Sequence, residues 1–229
     1  MGNRADREAV APRAAAADAP VRIPVAISAR HVHLTESVIE TLFCDKYRLH
    51  THADLVQPGQ YAAEESVTLV GPHGRIPHVR IVGPPRSVNQ VELSRTDAIT
   101  LGINAPVRES GDLAGTPGIV LEGPRGSVKL ESGVICALRH VHMCPEEAAR
   151  LGFKDQDRIQ VAAQSEDRQM LFQNVVVRVS PTYRLEMHLD TDEGNAAGLR
   201  SGHHVLLQQS TDAAAKPGPS SASDRNKRT

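Results

Sequence analysis

The sequence predicts a mainly β protein made of two related small β-barrels with short helical caps, and three observations carry that expectation. The core palette is Val, Ile, Leu and Ala, because 229 residues include no Trp, three Phe and three Tyr, and the β-branched members of that palette favour strands. Short apolar runs recur about every ten residues between Gly/Pro turns, the pattern of antiparallel β structure closed into a barrel or sandwich. The tetrapeptide RHVH occurs twice, ending at His33 and at His142, each time behind a similar hydrophobic segment. Two equivalent points call for two related units, and the period is too long and irregular for a stacked solenoid.

Taken in order, residues 1–20 are Ala-rich, broken by Pro12 and Pro20, and poor in large apolar side chains; they are expected to be disordered. "RIPVAIS" then reads as a strand leading into the first RHVH, and "ESVIETLF" as a short helix. "ESVTLVGPHG", "HVRIVGPPR", "GIVLEGPRG" and "SVKLESGVICAL" follow as strands with turns between them, the last leading into the second RHVH. "DRIQVAA", "FQNVVVRVS", "RLEMHLD" and "HHVLLQQ" complete the strand set. Three short helices interleave with the strands, in "SRTDAITLGINAPV", "CPEEAARLGFKDQDRIQV" and "TDEGNAAGLRSGHHVLL". Each has Thr96, Cys144 or Thr191 near its start, acidic residues in its first turn and a glycine at its end. Residues 209–229 are small, polar and Pro-containing and are expected to be a second disordered tail.

Composition excludes several classes. A formal net charge of -1 provides no basic excess for phosphate neutralisation, so no nucleic-acid partner is expected. Cys44, Cys136 and Cys144 form an odd, sparse set without CxxC spacing, which fits a reducing compartment. The N-terminal stretch has no secretory h-region, and no run approaches the roughly 18 apolar residues of a membrane span. A cytoplasmic protein without a membrane partner is therefore expected, with a homo-oligomer left open. There is no GxSxG, no P-loop and no GxGxxG opening a helix, which disfavours serine hydrolases, nucleotide kinases and Rossmann dehydrogenases.

The histidines are the candidate chemistry. On a strand, positions i and i+2 share a face, so His31 and His33 point together, as do His140 and His142; on a helix they would diverge by about 200°. Two neutral imidazoles converging from one strand form a chelate for a divalent metal, with zinc favoured by nitrogen-rich ligation. A single HxH on an exposed strand is more commonly solvated surface; the duplication is what argues for metal, in one dinuclear site or two separate ones. Glu92 and His188 are further candidates, although each taken singly reads better as a surface residue. His50, His52, His73, His78, His203 and His204 read as solvated. Cys144 fits a helix N-cap and Cys44 a helix end better than thiolate ligands. Arg86, in a turn after "GPP", is the candidate for anion binding.

With those residues in hand, the chain resembles the PduL type of phosphate acyltransferase, the phosphate propanoyltransferases or phosphotransacylases. The resemblance rests on "PVAISARHVHLT", "QPGQYAAEESVTLVGPHGRI", "VRIVGPPRSVNQVELSRTDAITLGI", "PVRESGDLAGTPGIVLEGPRGSV", "GVICALRHVHMCPEEAARLG", "NVVVRVSP" and "EMHLDTDEGNAAGL", in order from about residue 22 to 200. It implies two small β-barrels, each capped by short α-helices, with the active site in the cleft between them. Residues 21–29 and 138–208 are expected to form the first barrel and 30–137 the second. The family's metal ligands fall on His31, His33, Glu92, His140, His142 and His188, implying two zinc ions per chain. The phosphate-binding, catalytic arginine falls on Arg86, and coenzyme A contacts fall on Ser28, Arg80, His188 and Asn195. The implied reaction is reversible transfer of a short acyl group between a coenzyme A thioester and inorganic phosphate, without a covalent enzyme intermediate. Two alternatives remain open: a zinc hydrolase of thioesters or phosphoesters, and a zinc-stabilised, non-catalytic microcompartment binding module. One departure concerns coenzyme affinity: relatives commonly carry a basic residue before "QPGQ", where this chain has Ala53 beside His52. Some relatives also carry an amphipathic N-terminal helix that directs them into bacterial microcompartments. The tail here shows little such character, so encapsulation in the microcompartment lumen is only weakly indicated.

Overall fold

The computed structural model describes residues 20–208; the expectations for the two tails lie outside the described residues. The chain begins with β1 (Arg22–Ser28) and β2 (His31–His33), then α1 (Glu36–Leu42), β3 (Thr51–Asp54), β4 (Tyr61–Val70), β5 (Arg75–Gly83), β6 (Gln90–Glu92) and α2 (Arg95–Leu101). Short strands follow as β7 (Val107–Arg108), β8 (Ile119–Glu122), β9 (Ser127–Leu130) and β10 (Val134–Ala137). The last third comprises β11 (His140–Met143), α3 (Pro145–Leu151), β12 (Arg158–Gln164), β13 (Gln169–Val179), β14 (Glu186–Asp190), α4 (Thr191–Ala197) and β15 (His204–Gln208).

These strands form two β units with separate cores. One is a closed six-stranded barrel in the order β1-β14-β11-β13-β12-β15, sealed where β15 pairs antiparallel with β1. The other is a nine-stranded curled sheet in the order β7-β10-β6-β2-β5-β4-β8-β9, with β3 added on β4. The barrel core gathers Ile23, Val25, Val141, Met143, Val177 and Met187. The sheet core gathers Val32, Leu34, Leu42, Leu69, Ile81 and Leu121. The expectation of two barrel-like β units holds, with the second left open. Its path of paired strands ends at β7 on one side and, beyond the β8–β9 pairing (Ile119↔Leu130), at β9 on the other. The Val134 N–H at the start of β10 donates to the Pro117 carbonyl just before β8 at 3.0 Å.

The two units repeat one local plan. In the sheet, β2 runs parallel to β5 and antiparallel to β6; in the barrel, β11 runs parallel to β13 and antiparallel to β14. The strand before each HxH belongs to the opposite unit, for β1 pairs parallel with β14 and β10 pairs parallel with β6. Each RHVH is therefore the point at which the chain crosses from one unit to the other. Its arginine secures the crossing: Arg30 reaches Asp97 on α2 at 3.0 Å, and Arg139 reaches Glu193 on α4 at 2.8 Å. Those acids are equivalent, each three residues past a helix N-cap, Ser94 or Asp190.

The helices start and stop where local chemistry dictates. Thr35, Ser94 and Asp190 each accept a backbone N–H of the first turn through the side chain, satisfying donors that a helix start leaves orphaned. Cys144 occupies the same position before α3, as expected from the sequence. Gly102, Gly152 and Gly198 end α2, α3 and α4 with φ of 73°, 77° and 65°, a left-handed conformation that costs glycine little.

Close approach of backbone elements sets the helix positions. A Cβ on Gly71 would lie 2.2 Å from the Leu101 carbonyl oxygen at the end of α2. Gly71→Ala is therefore expected to destabilise the chain by roughly 1–3 kcal/mol, since neither backbone can yield without moving the helix off the sheet. Urea unfolding followed by circular dichroism measures it; an unchanged midpoint would contradict this packing.

Candidate active site

Antiparallel pairing brings a third polar residue opposite each HxH. In the curled sheet His31 lies across from Glu92, and in the barrel His140 lies across from His188. The result is two triads, His31/His33/Glu92 and His140/His142/His188, each with its ligand-type atoms within 4.8 Å of one another. Both line one cleft of ≈ 780 Å³ between the units, and Glu92, His140 and His188 also share a smaller recess. All six histidine and glutamate candidates are thus brought together. Neither Glu92 nor His188 is a surface residue, with side chains only 12% and 18% exposed.

Hydrogen bonding to main-chain carbonyls orients the rings. A carbonyl only accepts, so His31 Nδ1 donates to the Ala29 oxygen at 2.8 Å, His140 Nδ1 to the Leu138 oxygen at 2.8 Å and His33 Nδ1 to the Val82 oxygen at 3.2 Å. In its neutral form each of these rings presents a bare Nε2 lone pair to the cleft. His31 Nε2 and His33 Nε2 face each other at 3.2 Å, with Glu92 oxygens 3.6 and 3.8 Å away. Lone pairs and a carboxylate crowded together repel unless a cation sits among them. The barrel triad supplies a second sign, because both ring nitrogens of His142 are buried without a hydrogen-bond partner. Donors of this kind, nitrogen-rich with one carboxylate, fit a divalent transition metal.

Burial keeps His33, His140 and His142 neutral. It pushes His33 down to about 3, aided by the positive potential of His31. It pushes His140 down to about 4, with His188 adding to the effect, and His142 down to about 2, with His140 and His188 adding. Neutral rings are the metal-binding form. Burial works against the Glu92 carboxylate, but the neighbouring His31, His33 and His140 and then Arg86 outweigh it and hold that carboxyl below its ordinary range.

The remaining expected residues fall out as follows. Arg86 is half-buried, lines the cleft and makes no side-chain hydrogen bond or ion pair among the described residues. Burial lowers its pKa from the ordinary arginine value, with Glu92 opposing. Ser28 lines the cleft with its Oγ 3.5 Å from His188 Nδ1. Arg80 lines it too, although its Nη1 is already committed to the Ala63 and Glu64 carbonyls at 2.7 and 2.8 Å, where β4 bulges. Asn195 is not brought in: it sits exposed on α4, outside the cleft lining. His50 is exposed, as its solvated reading expected, and its Nδ1 also contacts the buried Glu65 carboxylate at 2.7 Å.

Sequence reasoning missed Gln57, Gln90, Arg178, Tyr183 and Glu186, all of which line the cleft. Tyr183 stacks on His142 with ring centroids 3.9 Å apart. Gln57 bridges the units, its amide bonded to both the N–H and the carbonyl of Arg184 at 3.2 Å. Gln90 and Glu186 stand two residues before Glu92 and His188, and that i, i+2 spacing was a usable signal. Leu55, Val56 and Val88 also face the cleft with 41%, 55% and 51% of their surface exposed, an apolar lip beside a polar floor.

A scan of family models matches residues 24–200 to the phosphate propanoyltransferase model. The chain belongs to the phosphate propanoyltransferase family. Curated members of that name include one from Thermotoga maritima, 52% identical over 185 residues, covering 81% of this chain and 88% of the relative. Another, from Salmonella typhimurium, is 54% identical over 181 residues, covering 79% and 86%. A Citrobacter freundii member is 52% identical over 176 residues, covering 77% and 83%. Membership makes the chain a phosphate acyltransferase. As a phosphate propanoyltransferase family member it carries both histidine doublets, Glu92, Arg86 and His188 within the matched span. Among the described residues no helix is long and apolar enough to cross a membrane.

Proposed function

We propose that this acyltransferase moves a short acyl group reversibly between coenzyme A and inorganic phosphate, with two zinc ions per chain and no acyl-enzyme intermediate. The observation that carries the reading is the convergence of two lone-pair-rich triads and one unpartnered arginine on a single cleft. His31, His33 and Glu92 hold one ion and His140, His142 and His188 the other. When bound there, zinc supplies Lewis-acid polarisation of the thioester carbonyl and a soft partner for the departing sulfur.

The chain's own residues perform the positioning. Arg86 takes the phosphate through the planar fork of its guanidinium, which matches two phosphate oxygens and leaves a third free to attack. The apolar lip of Leu55, Val56 and Val88 receives the acyl group and the adjoining arm of the coenzyme. Holding both reactants in one cleft turns a slow bimolecular encounter into an oriented one. A phosphate oxygen forms the new C–O bond at the carbonyl carbon, the C–S bond breaks, and sulfur leaves as coenzyme A thiolate. No proton need be supplied to the thiolate and no side chain need be acylated.

The test follows thiol release from propanoyl-coenzyme A with and without phosphate, alongside metal analysis. Release is expected to require phosphate, to match acyl phosphate mole for mole, to stop on chelation and to return with zinc. Thiol release at full rate without phosphate would identify a hydrolase instead.

A further inference from the structure

We infer that Gln90 and Glu186 are a matched pair of positioning residues, each holding the third member of its triad by the chemistry that member requires. The inference rests on the metal reading above. The two positions are equivalent by register: Gln90 lies opposite His33 on the strand carrying Glu92, and Glu186 lies opposite His142 on the strand carrying His188. Both are buried, at 1% and 5% exposure.

Each side chain is fixed from behind. Gln90 Oε1 accepts the Gly111 N–H at 2.8 Å, which settles the amide orientation and turns Nε2 toward Glu92 Oε1 at 2.6 Å and Ser110 Oγ at 2.8 Å. Glu186 Oε2 accepts from Gln57 Nε2 at 3.1 Å and stands 3.2 Å from His188 Nε2, near enough to attract the ring but without the angle of a hydrogen bond. Gln57 is itself locked by its two bonds to the Arg184 backbone, so a loop of the curled sheet sets the carboxylate of the barrel.

The chemistry inverts between the halves in a consistent way. Where the third member is a carboxylate, its neighbour is an amide that donates; where the third member is an imidazole, its neighbour is a carboxylate that attracts the ring. Either neighbour placed in the other half would fail, since glutamate at position 90 would set two carboxylates against each other. Partners of this outer kind orient metal ligands and raise their basicity, and their loss typically weakens metal binding by about 10- to 100-fold.

The test titrates metal-free protein with Co²⁺ against a chromogenic chelator and records the visible Co²⁺ bands. Wild type is expected to bind two ions. Gln90→Glu and Glu186→Gln are each expected to weaken one of the two by about 10- to 100-fold and to alter the bands of that ion alone. The double variant Gln90→Glu/Glu92→His, which copies the barrel pairing into the sheet, is expected to regain affinity over Gln90→Glu. Should Gln90→Glu not fold, Gln90→Met, which keeps the length and removes the donor, is measured in its place. Wild-type affinity and spectra at both sites in the single variants would overturn the pairing while leaving the metal reading standing. A wild-type chain that takes up no metal would overturn the metal reading itself.

Discussion

His142→Ala is expected to reduce bound metal from two ions to one per chain and to slow acyl phosphate formation by at least about 100-fold. His142 is the member of the barrel triad with least alternative employment: both ring nitrogens are buried and unpartnered, and its ring is held flat against Tyr183. Its neighbours cannot substitute, because His140 and His188 lie across the strand pair and would be left as a two-nitrogen site with water completing the shell. A folding defect is separable from a metal defect by acid stability. In the metal-free protein the His142 pKa lies at about 2 against an ordinary 6.5, chiefly through burial. The unfolded chain therefore binds the extra proton between those values, and stability contributed by the neutral ring is full above pH 6.5 and lost as pH falls toward 2. Removing His142 should make the metal-free protein less acid-sensitive while reducing the metal-dependent rise in melting temperature to the part that the remaining ion supplies. Unchanged metal stoichiometry and full transfer activity in this variant would rule out the triad as a metal site.

The sequence made the duplication visible but not its geometry. RHVH could be read twice, and the same-face spacing correctly predicted that each doublet converges, because a strand's period of two is a local property. That each doublet marks a crossing between units was not legible, since it depends on β1 pairing with β14 and β10 with β6, more than forty residues away in the nearer case. The third triad members were legible only as suspects. "QVELS" and "EMHLD" align on their helix N-caps, Ser94 and Asp190, and that alignment also superposes Gln90 on Glu186 and Glu92 on His188. Gln57 gave no local signal at all, for its partners are 127 and 129 residues distant and its loop has no periodicity.

Arg86→Ala is expected to leave both metal ions in place and yet to raise the phosphate concentration needed for half-maximal rate and slow transfer by about 100-fold. The argument starts from what Arg86 lacks. Part-buried arginines normally spend their donors on carboxylates or carbonyls, as Arg139 does on Glu193 and Arg80 on the β4 backbone. Arg86 lines the cleft without such a partner among the described residues, held by its own backbone N–H to the Leu34 carbonyl at 2.9 Å. Partial desolvation without compensation destabilises the cation, so an anion entering the cleft finds a binding site whose cost is already met by the fold. Glu92 is the negative charge that acts most on the guanidinium, and a metal ion on that triad would cancel it and leave Arg86 free for phosphate. Arg86→Lys separates charge from shape: a point charge retains attraction but not the two-pronged alignment, so phosphate binding should recover more than rate does. Equal recovery of both would show that alignment is set elsewhere, with Arg178 across the cleft the next residue to replace.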